Sequence, residues 1–213
     1  MGGFVMCERL KYEKAAYQQG KKVIIGLDEA GRGPMAGPLV VGAVIFDKNY
    51  YNEDIDDSKK LTEKKREALY DVIIHDALAY QIEIIDVEEV DRLNVYQASK
   101  IGMLRAIEHI SLQPDFALTD AMPLGDAIDH QAIIKGDHLS MTIGAASILA
   151  KVTRDRIMKD YDAMYPQYGF AKHKGYPTKQ HKEALLHYGV TPIHRRSFQP
   201  VIDVLNEQLS LDL

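Results

Sequence analysis

The sequence predicts an α/β fold in which a mixed central sheet is flanked by helices and followed by a C-terminal helical extension. Two apolar runs near the start, 22–27 and 39–46, are joined only by a Gly/Pro-rich turn, which favours antiparallel pairing of two buried strands. An alternating segment at 80–85 predicts a third strand. The later apolar runs, 116–119 and 132–134, alternate with helical segments, which favours parallel pairing in the same sheet.

Helical spacing of apolar residues recurs along the rest of the chain. The predicted helices are 8–19, 62–77, 95–110, 145–161, 178–187 and 201–209. Gly20 fits a helix C-cap and Thr62 an N-cap, because each residue type supplies the backbone or side-chain geometry that these positions need. Leu69, Val72 and Ile73 give the second helix an apolar face.

A length of 213 residues suits one domain with or without a helical appendage. We predict a main domain at 1–165, in which 1–20 is a helical lead-in, and a helical extension at 166–213. The single cysteine, Cys7, excludes a disulfide framework and a cysteine-built zinc site, and we interpret it as an incidental thiol. No apolar run could span a bilayer, and 1–10 lacks a secretory pattern. The sequence therefore predicts a cytoplasmic monomer without membrane contact.

Charge is distributed unevenly along the chain. The net charge is −5, and acids dominate 53–91, whereas in 172–196 the only acid is Glu183. The basic residues of that second stretch are Lys172, His173, Lys174, Lys179, His181, Lys182, His187, His194, Arg195 and Arg196. A local basic face of this kind can bind phosphates whatever the net charge is.

Four acidic residues lie at the ends of predicted strands. Asp28 and Glu29 follow the first strand, Asp120 follows the fourth, and Asp137 comes just past the fifth. Converging carboxylates repel one another unless a cation neutralises them, and hard oxygen ligands suit Mg²⁺ or Mn²⁺. Two such ions about 4 Å apart can promote phosphodiester hydrolysis. Taken singly, an aspartate at a strand end is more often a turn former or a helix cap.

The turn that follows the first acidic pair is rich in glycine. Gly31 and Gly33 permit close approach of backbone amides to an anion, and Arg32 lies between them. The spacing of these glycines to Gly37 does not match a dinucleotide-binding fingerprint, and Pro34 would disrupt the helix start that such a motif needs. A strained hairpin turn explains the glycines but leaves Arg32 unexplained.

An ordered set of short motifs now points to a family. The motifs are GLDEAGRGP at 26–34, DSKKL at 57–61, TD at 119–120, KGD at 135–137, AASILAKVTRD at 145–155, HKGYPT at 173–178, GVT at 189–191 and HRRSFQP at 194–200. In this order they resemble the type 2 ribonuclease H family, which includes the bacterial ribonucleases HII. The resemblance covers almost the whole chain, and the ordered set is far more specific than any single motif.

The resemblance implies a ribonuclease H-like fold whose main domain is catalytic and whose C-terminal extension binds substrate. It implies Mg²⁺- or Mn²⁺-dependent endonucleolytic cleavage of RNA in RNA/DNA hybrids, and cleavage 5′ to a single ribonucleotide in duplex DNA. The products would carry 3′-hydroxyl and 5′-phosphate ends.

The resemblance also implies roles for individual residues. Asp28, Glu29, Asp120 and Asp137 would be the catalytic metal ligands. The backbone of Gly31, Arg32 and Gly33 would read the ribose 2′-hydroxyl, which distinguishes RNA from DNA. Tyr176 would pack on the next sugar, Lys59 would contact a phosphate, and Ser147 would let a phosphate approach.

Other interpretations of these residues stay open. Asp155 is a rival fourth ligand, although an Arg-Asp-Arg run within a helix more often makes local ion pairs. Tyr176 could pack a turn beside Pro177, and Lys59 could be a solvated residue before a helix. The eight histidines include no expected general base, and His173 and His194 are interpreted as substrate-side or structural.

Rival functions use the same residues differently. Another nuclease or strand transferase of this fold would keep the carboxylates but would not need the turn at 31–33 or Tyr176. A non-catalytic module that binds hybrids is disfavoured, because unneutralised acids would repel the phosphate backbone.

Overall fold

The computed structural model describes residues 8–211, with side chains described as far as 207. Cys7 lies outside the described residues, so its interpretation as an incidental thiol stays a prediction. Within the described part of the chain, every helix is too short or too polar to cross a membrane. The predicted cytoplasmic location and monomeric state remain predictions.

A five-stranded sheet lies at the centre of the fold. Its strands are β1 (Ile24–Ala30), β2 (Leu39–Ile45), β3 (Ala79–Ile85), β4 (Phe116–Asp120) and β5 (His130–Ile133). Their order across the sheet is β3-β2-β1-β4-β5. β1 pairs antiparallel with β2 and parallel with β4, and β4 pairs parallel with β5. The predicted mixed sheet is therefore confirmed.

The first strand extends further than the sequence indicated. Asp28 was expected just after the strand, but it lies inside β1, where it pairs with Gly42 of β2. Pairing continues to Ala30, which is opposite Val40. Pairing with β2 therefore continues β1 through Asp28 and Glu29. The sequence did not reveal this extension, because the apolar run ends at Leu27.

Nine α-helices are present among the described residues. They are α1 (Lys11–Gln18), α2 (Glu63–Asp76), α3 (Val87–Leu93), α4 (Val95–His109), α5 (Gly136–Leu139), α6 (Met141–Met164), α7 (Phe170–His173), α8 (Lys179–Tyr188) and α9 (Gln199–Leu211). The six predicted helices are confirmed. The three short ones, α3, α5 and α7, were missed because four to seven residues give too little periodicity to recognise.

The N-cap and the apolar face predicted for α2 are confirmed, with the exception of one residue. The Thr62 side chain accepts a hydrogen bond from the Lys65 backbone N–H, as an N-cap should. Leu69 and Ile73 are buried on the predicted apolar face. Val72 is 37% exposed, so its inclusion in that face was wrong. It lies one residue away from Ile73, and neighbouring residues of a helix point about 100° apart.

The chain divides into two compact units, each built from three separate segments. Of the described residues, unit 1 comprises 8–30, Val40–Glu83 and Ser99–Val152, and unit 2 comprises Gly31–Leu39, Ile84–Ala98 and 153–211. The predicted division at 165/166 stays a proposal.

Each unit has its own apolar core. In unit 1 the start of α6 packs on the sheet and α2, and its buried residues include Val44, Leu69, Ile73, Ile148 and Leu149. In unit 2 the core is aromatic as well as aliphatic, and it contains Ala36, Met158, Tyr168, Phe170, Ala184 and Ile193. Because Met35 and Ala36 are buried within unit 2, the glycine-rich turn that precedes them is anchored there.

Candidate active site

Three of the four predicted carboxylates converge in unit 1. Asp28, Asp120 and Asp137 each offer an oxygen, and these oxygens lie within 4.8 Å of one another. The parallel register of β1 and β4, with Leu27 opposite Thr119, brings Asp28 and Asp120 side by side. Asp137 lies in α5, four residues after the end of β5.

Glu29 and Asp155 are not members of this group of three among the described residues. Glu29 follows Asp28 in β1, and successive side chains of a strand point to opposite faces. Glu29 is half-buried, and its backbone N–H donates to Asp28 Oδ1 at 2.7 Å. Asp155 is a buried residue of α6. Whether either residue binds a metal stays a prediction.

The group is electrostatically unfavourable without a cation. Burial, followed by the charges of Glu29 and Asp120, raises the pKa of Asp28 well above its usual value. Burial also raises the pKa of Asp120, and the charge of Asp137 adds to it, although the Gly136 N–H opposes both by donating to Asp120 Oδ1 at 2.7 Å. Oxygen ligands in this arrangement suit a divalent cation, which would remove the repulsion.

Lys59 reaches the group from the protein surface. Its Nζ lies 3.1 Å from Asp137 Oδ2, while three quarters of its side chain is exposed. Burial of the amine acts to lower the pKa of Lys59, but the hydrogen bond with Asp137 and its charge outweigh this effect and raise it. Lys59 is therefore a protonated cation beside the carboxylates. Its contact with a phosphate stays a prediction.

An open cleft of about 500 Å³ adjoins the carboxylates. Acidic and basic residues both line it, namely Asp57, Asp120, Asp137, Lys59, Lys60, Lys135 and His138, together with Ala121. A cleft that mixes anionic metal-type ligands with cations can hold a phosphate backbone next to a metal site.

Backbone strain accompanies the predicted site residues. Of the four non-glycine residues with positive φ in the described chain, three flank predicted site residues. Ala121 (φ 53°) follows Asp120, Lys135 (φ 60°) precedes Asp137 by two residues, and Lys174 precedes Tyr176 by two. Such strained conformations cost about 1–3 kcal/mol each and are concentrated at functional sites.

Ser147 is buried in α6 rather than open to a cleft. Its Oγ donates to the Gly144 carbonyl at 2.8 Å and accepts from the Ser58 N–H at 3.4 Å. Because Ser58 precedes Lys59, this bond steadies the segment that carries the lysine. A contact between Ser147 and a phosphate stays a prediction.

The glycine-rich turn and Tyr176 lie together in unit 2. A Cβ at Gly33 would lie 3.2 Å from Tyr176 Cε1, so the ring contacts the turn. The Met35 N–H also donates to the Gly175 carbonyl at 2.9 Å. Gly31 has φ +107°, which L side chains rarely adopt. Tyr176 is 46% exposed, so it combines a packed edge with an open face.

Two buried arginines hold this turn, and the sequence analysis did not identify this role for them. Arg154 donates to three backbone carbonyls, Pro38 (Nε, 2.9 Å), Lys174 (Nη1, 2.9 Å) and Ala36 (Nη2, 3.0 Å). It therefore joins the turn to the segment that carries Tyr176. Burial lowers the pKa of Arg154 to about 10, so it stays charged at neutral pH. A usable signal existed: Arg154 lies four residues from both Ala150 and Met158, which are buried.

Arg195 acts on the same turn. Its Nε donates to the Gly37 carbonyl at 2.9 Å, and its backbone N–H donates to the Met35 carbonyl at 2.9 Å. Burial lowers the pKa of Arg195 to about 9. The arginine was expected to belong to an exposed basic face, and this expectation was wrong, since the residue is fully buried.

Three histidines of the predicted basic face are also buried. His181 Nε2 lies 3.1 Å from His194 Nε2, and the rings of His173 and His181 stack at 4.3 Å. Burial lowers the pKa of His181 to about 4 and that of His194 to about 3. They are therefore neutral at neutral pH, and the structural interpretation of His173 and His194 fits their burial.

Comparisons with known proteins agree with the predicted family. The family model described as Ribonuclease HII matches residues 25–201. A ribonuclease HII of Acholeplasma laidlawii (strain PG-8A) is 50% identical over 200 residues, which cover 94% of this chain and 98% of that protein. A ribonuclease HII of Bacillus cytotoxicus is 48% identical over 202 residues, which cover 95% of this chain and 78% of that protein.

A solved structure has the same fold. The ribonuclease H2 of Pyrococcus horikoshii OT3 superposes with a TM-score of 0.76 at 26% sequence identity. The superposition covers 87% of this chain and 98% of that one. The expected ribonuclease H-like fold is thereby confirmed.

Proposed function

Because the chain belongs to the ribonuclease HII family, we propose that it hydrolyses the phosphodiester bond on the 5′ side of a ribonucleotide, both in RNA/DNA hybrids and at single ribonucleotides in duplex DNA. Membership makes it an endoribonuclease that acts on the RNA strand of such hybrids. The products are proposed to carry 3′-hydroxyl and 5′-phosphate ends. The observation that carries the proposal is the convergence of Asp28, Asp120 and Asp137 within 4.8 Å.

The residues present fit a divalent cation. The three oxygens are close enough to share an ion, and the pKa values of Asp28 and Asp120 are raised, first by burial and then by neighbouring carboxylates, although Lys59 lies beside Asp137. A bound divalent cation supplies Lewis-acid chemistry, which promotes attack by water and neutralises charge on the phosphate. Glu29 is proposed as a further ligand of the cation, because it belongs to the family's GLDEAGRGP motif. A site with two ions, and the choice between Mg²⁺ and Mn²⁺, are parts of the same proposal.

Basic residues at the cleft are proposed to place the scissile phosphate. Lys59 offers its ammonium group beside Asp137, and Lys60, Lys135 and His138 line the same cleft. Charge-assisted contacts of this kind fix the register of a nucleic acid without reading its sequence. Ser147 is proposed to contribute through Ser58, the neighbour of Lys59.

Recognition of ribose is proposed for the turn and the tyrosine of unit 2. The backbone of Gly31, Arg32 and Gly33 has the glycines that close approach to a 2′-hydroxyl requires. Tyr176, in contact with Gly33, would pack on the neighbouring sugar through its exposed face. This assignment explains why two buried arginines and several backbone bonds are devoted to one short turn.

One experiment tests the function directly. Duplex DNA with a single ribonucleotide, and an RNA/DNA hybrid, are incubated with the protein in Mg²⁺, in Mn²⁺ and in a chelator. We expect cleavage on the 5′ side of the ribonucleotide in metal, no cleavage in chelator, and a 5′-phosphate on the downstream product. Folded protein that leaves both substrates intact in both metals would overturn the proposal.

A further inference from the structure

The junction between α5 and α6 lies two residues after Asp137. α5 has only four residues, Gly136–Leu139, and α6 begins at Met141. The last carbonyls of a helix and the first N–H groups of the next have no intrahelical partners. The position of Asp137 therefore depends on the groups that satisfy this junction from elsewhere in the chain.

Arg9, which precedes α1, satisfies the carbonyl side of the junction. Its guanidinium donates to the carbonyls of Asp137 (Nη2, 2.9 Å), His138 (Nε, 3.0 Å), Ser140 (Nη2, 3.4 Å) and Ile55 (Nη1). In addition, the Arg9 carbonyl accepts from the Met141 N–H at 2.8 Å. One residue near the start of the described chain thus binds Asp137 and three of the next four residues, which lie 128 or more positions away.

Glu13, in α1, satisfies the N–H side of the same junction. Its Oε1 accepts from Ser140 Oγ at 2.6 Å and from the Thr142 N–H at 3.1 Å. Ser140 Oγ in turn accepts from the Ile143 N–H at 3.1 Å. Glu13 is only 5% exposed, and a carboxylate here also interacts favourably with the positive end of the α6 dipole.

The first turn of α6 leaves room for this arrangement. A Cβ at Gly144 would lie 2.9 Å from Arg9 Nη2 and 3.0 Å from the Asp137 carbonyl oxygen. Arg9 and Asp137 therefore meet where α6 has no side chain. A side chain at position 144 would displace the guanidinium, so the arrangement depends on the space that Gly144 leaves.

We propose that Arg9 and Glu13 are positioning residues for the Asp137 carboxylate. They clamp the backbone at 137–142 between them, and so hold Asp137 within reach of Asp28 and Asp120. The inference rests on the proposed cation site, to which it adds two residues outside the cleft. Groups that orient metal ligands commonly change metal affinity by about 10–100-fold when altered.

The sign of the effect separates positioning from charge. Arg9 Nη2 lies 2.9 Å from the Asp137 carbonyl oxygen, so Arg9 also places a positive charge near the carboxylates, although its Nη1 pairs with Asp56 at 3.5 Å. If charge alone mattered, Arg9→Gln would tighten cation binding, because a repelling charge is removed. Positioning predicts weaker binding in Arg9→Gln and in Arg9→Lys, since neither side chain reproduces the planar fork of donors.

The experiment measures the Kd for Mn²⁺ of the metal-free, folded protein by the paramagnetic signal of free Mn²⁺. We expect Arg9→Lys, Arg9→Gln and Glu13→Ala to raise this Kd about tenfold. Glu13→Gln should stay close to wild type, because its amide oxygen can accept the same two bonds. Arg92→Lys is the matched control: Arg92 is exposed and donates to Glu89 at 3.1 Å, so the Kd of this variant should not change.

The outcomes separate this inference from the proposed function. If wild type binds no Mn²⁺, or if Asp120→Asn does not abolish its Mn²⁺ binding, the proposed cation site is wrong. If that site is present and the Arg9 and Glu13 variants bind Mn²⁺ as tightly as wild type, positioning is wrong even if their melting temperatures fall. If Glu13→Ala does not fold, Ser140→Ala replaces it, because this change removes the donor to Glu13 and leaves α1 unchanged. An unchanged Kd for Mn²⁺ in Ser140→Ala would also overturn the inference.

Discussion

Unit 1 and unit 2 both bury charged groups, but they compensate them differently. In unit 1, Asp28, Asp120 and Asp137 face one another, and burial together with like charge raises the pKa of the first two. In unit 2, Arg154 and Arg195 are buried against backbone carbonyls, and burial lowers the pKa of each. The aspartates repel one another and have the mostly exposed Lys59 beside Asp137, whereas the arginines donate hydrogen bonds to backbone carbonyls.

The difference indicates which charges serve function and which serve structure. A buried charge that makes its hydrogen bonds within the protein favours one conformation, here that of the glycine-rich turn. Charges left to repel one another are retained where an external ion completes the arrangement. Unit 1 is therefore expected to respond to metal and unit 2 to substitutions of its buried cations, and four predictions test this contrast.

The largest effect is expected at Asp120. Asp120→Asn keeps the shape of the side chain but removes a charged ligand, so it should lower cleavage by about 10³-fold or more while hybrid binding is largely preserved. Turnover and hybrid affinity are measured at saturating Mg²⁺. Asp126→Asn, an exposed aspartate in the 3-10 turn after β4, is the control and should be fully active. Near-normal turnover in Asp120→Asn would contradict the assigned role.

The second effect tests the structural charge of unit 2. Arg154→Met leaves three carbonyls without their donor, and each orphaned buried group costs roughly 1–3 kcal/mol. We expect the free energy of unfolding to fall by about 4 kcal/mol in urea denaturation. Arg156→Met, at an exposed position two residues along α6, should change it by less than about 0.5 kcal/mol. Equal losses in both variants would mean that the three carbonyl bonds do not stabilise the turn.

The two units should respond to pH in opposite directions. The folded pKa of His181 is about 4 and that of His194 about 3, against about 6.5 in the unfolded chain. Between these values the unfolded chain binds protons that the folded protein does not, so stability falls as pH drops below 6.5. For Asp28 the folded pKa is raised above 3.8, so metal-free stability falls as pH rises through the folded pKa.

Substitutions can separate these two slopes. Each histidine contributes at most about 1.4 kcal/mol per pH unit, so His194→Asn should reduce the loss of stability between about pH 6.5 and pH 4.5 by about 2 kcal/mol. Asp28→Asn should instead stabilise the metal-free protein, and more so at higher pH. Urea unfolding in chelator from pH 4.5 to 8 measures both, with the exposed His187→Gln as control. Parallel pH profiles for the two variants would refute the contrast.

The same contrast explains what the sequence could reveal. The strands and the carboxylates were predictable, because Asp120 and Asp137 follow short apolar runs and the local pattern is enough. The roles of Arg154 and Arg195 were not predictable, because their partners are distant. Arg154 binds Ala36 across 118 positions, and Arg195 binds Gly37 across 158. A basic residue in a basic stretch reads as exposed until its long-range partners are known, which is why Arg195 was misassigned.

The smallest predicted effect concerns Tyr176, and it is one of selectivity. The ring contacts Gly33 along one edge, and the residue is 46% exposed, which suits packing on a sugar. Tyr176→Ala should lower kcat/KM for a single ribonucleotide in duplex DNA by about tenfold, or about 1.4 kcal/mol, within the range of stacking-type contacts. The downstream sugar there is deoxyribose, so the ring meets no 2′-hydroxyl.

A long hybrid should depend less on the ring. Every downstream sugar in it is ribose, and exposed basic residues such as Lys172 and Lys179 would hold the backbone of either substrate and set the salt dependence. The measurement compares kcat/KM for both substrates in wild type and Tyr176→Ala at one salt concentration. Tyr188→Ala, at another exposed tyrosine of unit 2, controls for loss of an aromatic surface. Equal losses on both substrates would mean that Tyr176 only packs against the turn, and would remove it from the site.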